Sequence, residues 1–213
     1  MAWRSVAEHA ATASQRCAAP AAVHPQDGPH VDIRVRIEPD RVAIHYAMNL
    51  VFLDEFAPVA RERPDDVDPA ELGAVGDAVR AALATKGMVV IDGVEVAPIV
   101  GDMTLAAADA SLLPLFPRSG MRGMRRVEFE ASYPVKRAPQ SVVLDWTTYP
   151  TDILAKPGQP RTLVIAGELE GAGKRQGFEL SAEAPRLSWR APSGSPTEDL
   201  APVPTLESLG DAA

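Results

Sequence analysis

With 213 residues, 46% hydrophobic and 23% charged, the chain can bury one sizeable core and has room for one domain, or at most two small ones. Twenty prolines against three tryptophans, three tyrosines and five phenylalanines argue against a helical bundle, because each proline removes a backbone donor and stops a helix interior. A formal net charge of −8 argues against sequence-independent nucleic-acid binding, which needs a basic face. No run of about 18 apolar residues offers a membrane span.

Residues 1–28 are alanine-rich, lack hydrophobic period and are expected to form a flexible N-terminal arm. Ala19-Pro20-Ala21-Ala22 followed by Val23-His24-Pro25 has the small-residue character of a secretory cleavage site. The stretch before it, Val6 to Cys17, contains Glu8, His9, Gln15 and Arg16 and is too polar for a signal core. Two readings stay open: an exported, periplasmic or otherwise extracytoplasmic protein with a mis-assigned start, or a cytoplasmic protein with a loose end. Cys17 is the single cysteine, so neither an intrachain disulfide nor a cysteine-based zinc site can form.

From residue 29 the pattern is that of strands. Val31, Ile33, Val35 and Ile37 alternate with Asp32, Arg34, Arg36 and Glu38, and Pro39-Asp40 supplies a turn. The return strand sets Val42, Ile44, Tyr46, Met48 and Leu50 on one face and is expected to run on through Val51-Phe52-Leu53 as a central strand, with His45 on the opposite face. An acidic connection, 54–68, leads to Asp68-Pro69-Ala70-Glu71, which predicts a helix over about 69–86. Leu72, Val75, Val79, Ala82 and Leu83 share its apolar face, and Gly87 closes it.

Met88 to Val96 reads as a hairpin around Asp92-Gly93. Ile99 to Ala106 supplies another short strand, and Ala107 to Pro117 fits a helical turn under Leu112, Leu113, Leu115 and Phe116. Strands follow at Val127–Tyr133, Val142–Trp146, Thr162–Leu169 and Gly177–Leu180, the last two flanking a loose loop from Glu170 to Gln176; Leu187 and Trp189 close the body. The expected fold is mainly β, an antiparallel β-sandwich or two small packed sheets with one short α-helix. Trp146, Trp189, Phe129, Tyr46 and Phe52 are its expected core anchors. The body spans 29–191, as one unit or as two subdomains, 29–117 and 118–191. Residues 192–213 form a proline-rich tail with four acids and no basic residue.

Candidate sites are few. Asp54, Glu55, Glu62, Asp65, Asp66, Asp68 and Glu71 face only Arg61 and Arg63 in sequence. Asp65, Asp66 and Asp68 are candidate calcium ligands, although the run has no central glycine and carries Pro69, and a solvated acidic loop explains it as well. His24 and His30, with His45 and Asp32, are candidates for a transition metal. Arg118, Arg122, Arg125 and Arg126, continued by Lys136 and Arg137, form a basic segment that either meets an acidic partner or lipid surface, or balances the chain's own acidic loop. Gly171, Gly173 and Gly177 lack the Gly-Lys-Ser/Thr ending of a phosphate loop and read as a hairpin. No G-x-S-x-G, no H-E-x-x-H and no cysteine–histidine pairing in the body points to nucleophilic catalysis, so no catalytic residue and no cofactor are expected.

His24-Pro25, a strand pair ending Asn49-Leu50-Val51-Phe52-Leu53-Asp54-Glu55, then a helix and the Asp92-Gly93 hairpin, form an ordered pattern. It continues with Val127-Glu128-Phe129-Glu130-Ala131-Ser132-Tyr133-Pro134, Val143-Leu144-Asp145-Trp146 and Leu187-Ser188-Trp189. Over about 160 residues this resembles the extracytoplasmic region of HupE/UreJ-type membrane proteins. No ligand motif is shared, so the resemblance assigns no functional residue. It implies a domain outside the cytoplasm, followed by a proline-rich linker and associated with membrane proteins. The function expected is therefore that of a non-catalytic interaction or accessory subunit of a membrane-associated assembly. The alternative is a metal- or small-ligand-binding extracytoplasmic module.

Overall fold

The computed structural model describes residues 27–192 apart from Leu154. The expected arm, with Cys17 and His24, lies outside the described residues except for Asp27 and Gly28; the expected tail does so except for Pro192.

The fold is mainly β, two packed sheets with a few short helices. Alternation builds the first hairpin as expected: β1 (Val31–Ile37) pairs antiparallel with β2 (Arg41–Asn49), sending Ile33, Val35, Ile44 and Tyr46 inward. β2 does not continue as a strand. Leu50–Phe56 is a helix, α1, whose N-cap Asn49 accepts a hydrogen bond from the Phe52 N–H at 3.0 Å. Leu50, Leu53 and Phe56 recur at helical spacing and are all buried. The apolar run read as a two-sided strand is therefore one face of a helix.

A 3-10 turn, Pro69–Glu71, leads into α2 (Leu72–Lys86). Its start is a capping box: the Asp68 carboxylate accepts from the Ala70 N–H, and Glu71 accepts from the Asp68 N–H at 2.8 Å. Val75, Val79, Ala82 and Leu83 face the core. Gly87 ends the helix at φ −140°, a negative φ that does not itself call for glycine. What demands glycine is space, since a Cβ there would lie 2.8 Å from the Trp146 ring and 3.2 Å from Leu83.

β3 (Gly87–Ile91) and β4 (Val94–Val96) form the expected hairpin, with Asp92 and Gly93 both at positive φ. Two short strands follow, β5 (Ile99–Val100) and β6 (Thr104–Ala106). A 3-10 helix (Ala110–Leu115) and a short helix, α3 (Gly120–Met124), then precede β7 (Arg126–Pro134). β8 (Ser141–Trp146), β9 (Ile165–Gly171), β10 (Lys174–Leu180) and β11 (Arg186–Arg190) complete the strands of the described residues. The loop expected at 170–176 is instead strand on both sides of a two-residue turn, Ala172 (φ 52°) and Gly173 (φ 71°).

The larger, seven-stranded sheet runs β10-β9-β1-β2-β7-β5, with β6 also on β7; the smaller runs β11-β8-β3-β4. One pairing departs from the antiparallel pattern: β1 and β9 are parallel, Ile33 opposite Gly167. Each sheet draws strands from both sides of residue 117, and one core joins them, so 29–117 and 118–191 are interleaved rather than separate subdomains. Across that core runs a stack of rings. Phe129 lies 5.1 Å from Tyr46, Tyr46 5.9 Å from Trp146, Trp146 5.0 Å from Phe56, and Phe56 5.9 Å from Phe52. Each such pair adds about 0.5–1.5 kcal/mol to its area burial. Trp189, an expected anchor, is only partly buried and packs at the core's margin.

Candidate functional site

The basic segment and the leucines before it belong to one pinned element. Asp109 caps the 3-10 helix through the Ser111 N–H at 2.9 Å, and Phe116 at its far end is buried. Asp27 then clasps the next turn, accepting from the N–H of Arg118 at 2.9 Å, the N–H of Ser119 at 2.8 Å and the Ser119 hydroxyl at 2.5 Å. Asn49, fully buried, ties the same region to the sheet. Its Oδ1 accepts from the His30 and Phe52 N–H groups, and its Nδ2 donates to the carbonyls of Gly28 and Gly123.

Three of the four candidate arginines act as further struts. Arg122 donates to Asp54, which also pairs with Arg61 at 2.8 Å; the Arg61 side chain is only 3% exposed and donates to the Pro64 carbonyl as well. Arg125 faces Asp66 at 3.7 Å, and Arg126 pairs with Asp32 at 3.0 Å. Hydrogen bonding to His30, aided by the Arg126 charge against the cost of burial, holds the Asp32 carboxyl below the ordinary range. The acidic loop and the basic segment thus meet in two pairs, Arg122 with Asp54 and Arg125 with Asp66. Arg118 is the exception: its side chain is exposed and has no ion pair among the described residues.

The metal candidates are placed differently. Asp66 lies between Arg63 and Arg125, and Asp68 is occupied as a helix cap. Asp65 is exposed, and His30 pairs with Asp32 at 3.2 Å. Among the described residues no group of three or more His, Cys, Asp or Glu side chains gathers where a metal could be held.

With three of its arginines held at the surface by carboxylates of the same chain, the element also presents leucines. Leu112, Leu113 and Leu115 are 45%, 40% and 52% exposed, beside the exposed Pro114 and Pro117. Side chains of this size, clustered beside a turn anchored by Asp27, form an apolar patch of the kind that marks contact surfaces. Nothing in the sequence forewarns of this: Leu112 and Leu113 stand four and three residues before the buried Phe116, spacings that would place them on its face in a helix, yet only Phe116 is buried.

A second surface lies on the outer face of the larger sheet. His45, on the face opposite Tyr46 as expected, sits between Arg34 and Glu130 in register. With Arg36, Glu168, Glu170 and Arg175 these line an open groove of about 340 Å³. Its charges are partly spent on each other, Arg36 with Glu130 at 2.7 Å and Arg175 with Glu170 at 3.4 Å. No helix among the described residues is long and apolar enough to cross a membrane. Comparison of the chain with protein-family models and with curated proteins finds no match.

Proposed function

We propose that this chain is a non-catalytic interaction domain, an accessory subunit of a membrane-associated assembly outside the cytoplasm, which meets a protein partner through Leu112, Leu113 and Leu115. The observation that carries the reading is the exposure of three leucines on an element fixed by Asp27, Asn49 and three arginine struts. A partner that covers them gains about 1 kcal/mol for each half-exposed leucine, without the cost of ordering a loose loop. Arg118 stands at the rim, where a charge guides approach more than it holds. The extracytoplasmic setting and a membrane-protein partner are what the sequence's resemblance to HupE/UreJ-type proteins implies.

A photo-crosslinking residue in place of Leu113, used in native membranes and in lysate, tests the reading. The expected result is one discrete adduct, dependent on light and lost when Leu112 and Leu115 are both changed to Ser. A folded, monomeric protein that gives no adduct in either fraction overturns it. The alternative, a small-ligand module, has the groove at Arg34, His45 and Glu130 in its favour. Calorimetric titration with small zwitterions and with calcium, zinc, copper and nickel separates the two, heat of binding without an adduct favouring the ligand module.

A further inference from the structure

Where the β9–β10 hairpin meets β11, a groove of about 240 Å³ is lined by Gly171, Lys174, Gln176, Trp189, Arg190 and Pro192, among others. Gly171 shapes it: a Cβ at that position would lie 3.0 Å from the indole Nε1 of Trp189, so the glycine lets the indole rest against the hairpin backbone. The tight Ala172-Gly173 turn sets Lys174 beside it. The lining is chemically one-sided. Lys174 and Arg190 have no ion pair, and the Trp189 N–H has no acceptor, among the described residues. No carboxylate lines the groove, although the chain as a whole carries a net charge of −8.

Two unpaired cations, a free indole N–H and an amide call for a ligand rich in acceptors and negative charge. An exposed aromatic ring with a free donor also suits extended proline-rich backbone, whose carbonyls are unpaired and whose rings stack on indole. One such segment belongs to this chain. Residues 193–213 include Glu198, Asp199, Glu207 and Asp211, no Lys or Arg, and Pro196, Pro202 and Pro204. The chain passes the rim of the groove at Pro192, and Ser193-Gly194-Ser195 has the composition of a turn. We propose that this groove is a binding site for an acidic, proline-rich segment and that residues 197–204 of the same chain occupy it, Glu198 and Asp199 meeting Lys174 and Arg190. Tethering so close to the site gives the segment a local concentration of about millimolar, enough to offset weak contacts. The proposal uses no residue of the leucine-bearing element and does not depend on that reading.

The test is indole N–H spectroscopy on the full-length chain, with the three tryptophan resonances assigned by Trp→Phe variants. In the pair Glu198→Gln/Asp199→Asn the Trp189 resonance should move while that of Trp146 stays, which shows the body intact. Lys174→Glu/Arg190→Glu should release the segment too, seen as loss of the salt response that the wild type shows between low salt and about 0.5 M. Adding Glu198→Lys/Asp199→Lys to Lys174→Glu/Arg190→Glu should restore that response. An identical Trp189 resonance in the wild type and in Glu198→Gln/Asp199→Asn at low salt overturns the proposal. A Trp189 shift that grows with protein concentration assigns the segment to a second copy and overturns occupancy within one chain.

Discussion

Asn49→Ala is the most informative single change in the body. The asparagine is completely buried and satisfies four backbone groups: the N–H of His30 and of Phe52, and the carbonyls of Gly28 and Gly123. Losing the helix cap at Phe52 costs about 1 kcal/mol. Each of the other three partners, stranded without water, adds about 1 kcal/mol more. The sum, about 4 kcal/mol, is a large part of the roughly 5–15 kcal/mol that holds a domain folded. Urea unfolding with an unchanged slope measures it. Asn49→Asp refines the test, because it keeps the acceptor but turns the donor into an oxygen facing two carbonyls, with a buried charge. Asn49→Asp should be destabilised at neutral pH and recover part of its stability near pH 4. A loss below about 1 kcal/mol in Asn49→Ala would refute the view that this side chain joins the sheet, α1 and α3.

Other expectations follow from the same geometry. Gly87→Ala should cost about 1–3 kcal/mol by driving a methyl into the Trp146 ring, whereas Gly73→Ala, with nothing within 4 Å of its Cβ, should stabilise α2 by about 0.5–1 kcal/mol; thermal melts give the two signs. Asp54→Asn should cost about 2–4 kcal/mol by leaving the buried Arg61 charge without its partner, while Arg36→Ala, which breaks only an exposed pair with Glu130, should cost less than about 1 kcal/mol in the same assay. Acid should destabilise the fold. Asp92 is held below the ordinary Asp range by the Ser141 N–H and then that of Gln140, and Glu71 below the Glu range by the N–H groups of Glu62 and Asp68. Both bind protons less readily folded than unfolded, so their contribution is complete above the unfolded values near pH 4 and is lost as pH falls through the lower folded ones. Glu55, raised by burial, acts in the opposite sense. Titrating stability from pH 6 to 2 should show the net decline, with a shallower slope in Asp92→Asn.

Most of the fold was legible because most of it is governed by local pattern. Alternation marked β1, β2, β7 and β8; Asp68-Pro69-Ala70-Glu71 marked the start of α2; Asp92-Gly93 marked its hairpin. The failures occurred where two patterns compete over a few residues. Leu50 to Phe56 is apolar enough for a buried strand, and the deciding signal was Asn49 three residues before Phe52. Ala172 at positive φ was illegible, since alanine carries no preference for that turn. The parallel pairing of β1 with β9 has no sequence signature, because register over that separation is set by packing. For the candidate site, the charges of the acidic and basic segments were visible and their balancing each other was one of two readings, but which residues pair was not legible. Only the folded chain brings Arg122 to Asp54 and Arg125 to Asp66, leaving the leucines and Arg118 exposed.

The parallel seam also sets the order in which the molecule can be completed. β1 is made early, yet its outer edge is closed only when Ile165–Gly171 has been synthesised and laid against it. Until then a ribosome-bound chain carries an open edge at Ile33 and Val35, able to pair with any other strand. Products truncated between β8 and β9 should therefore self-associate, while those ending beyond Leu180 should not, and the last third of the chain acts as the cover that makes the first third safe.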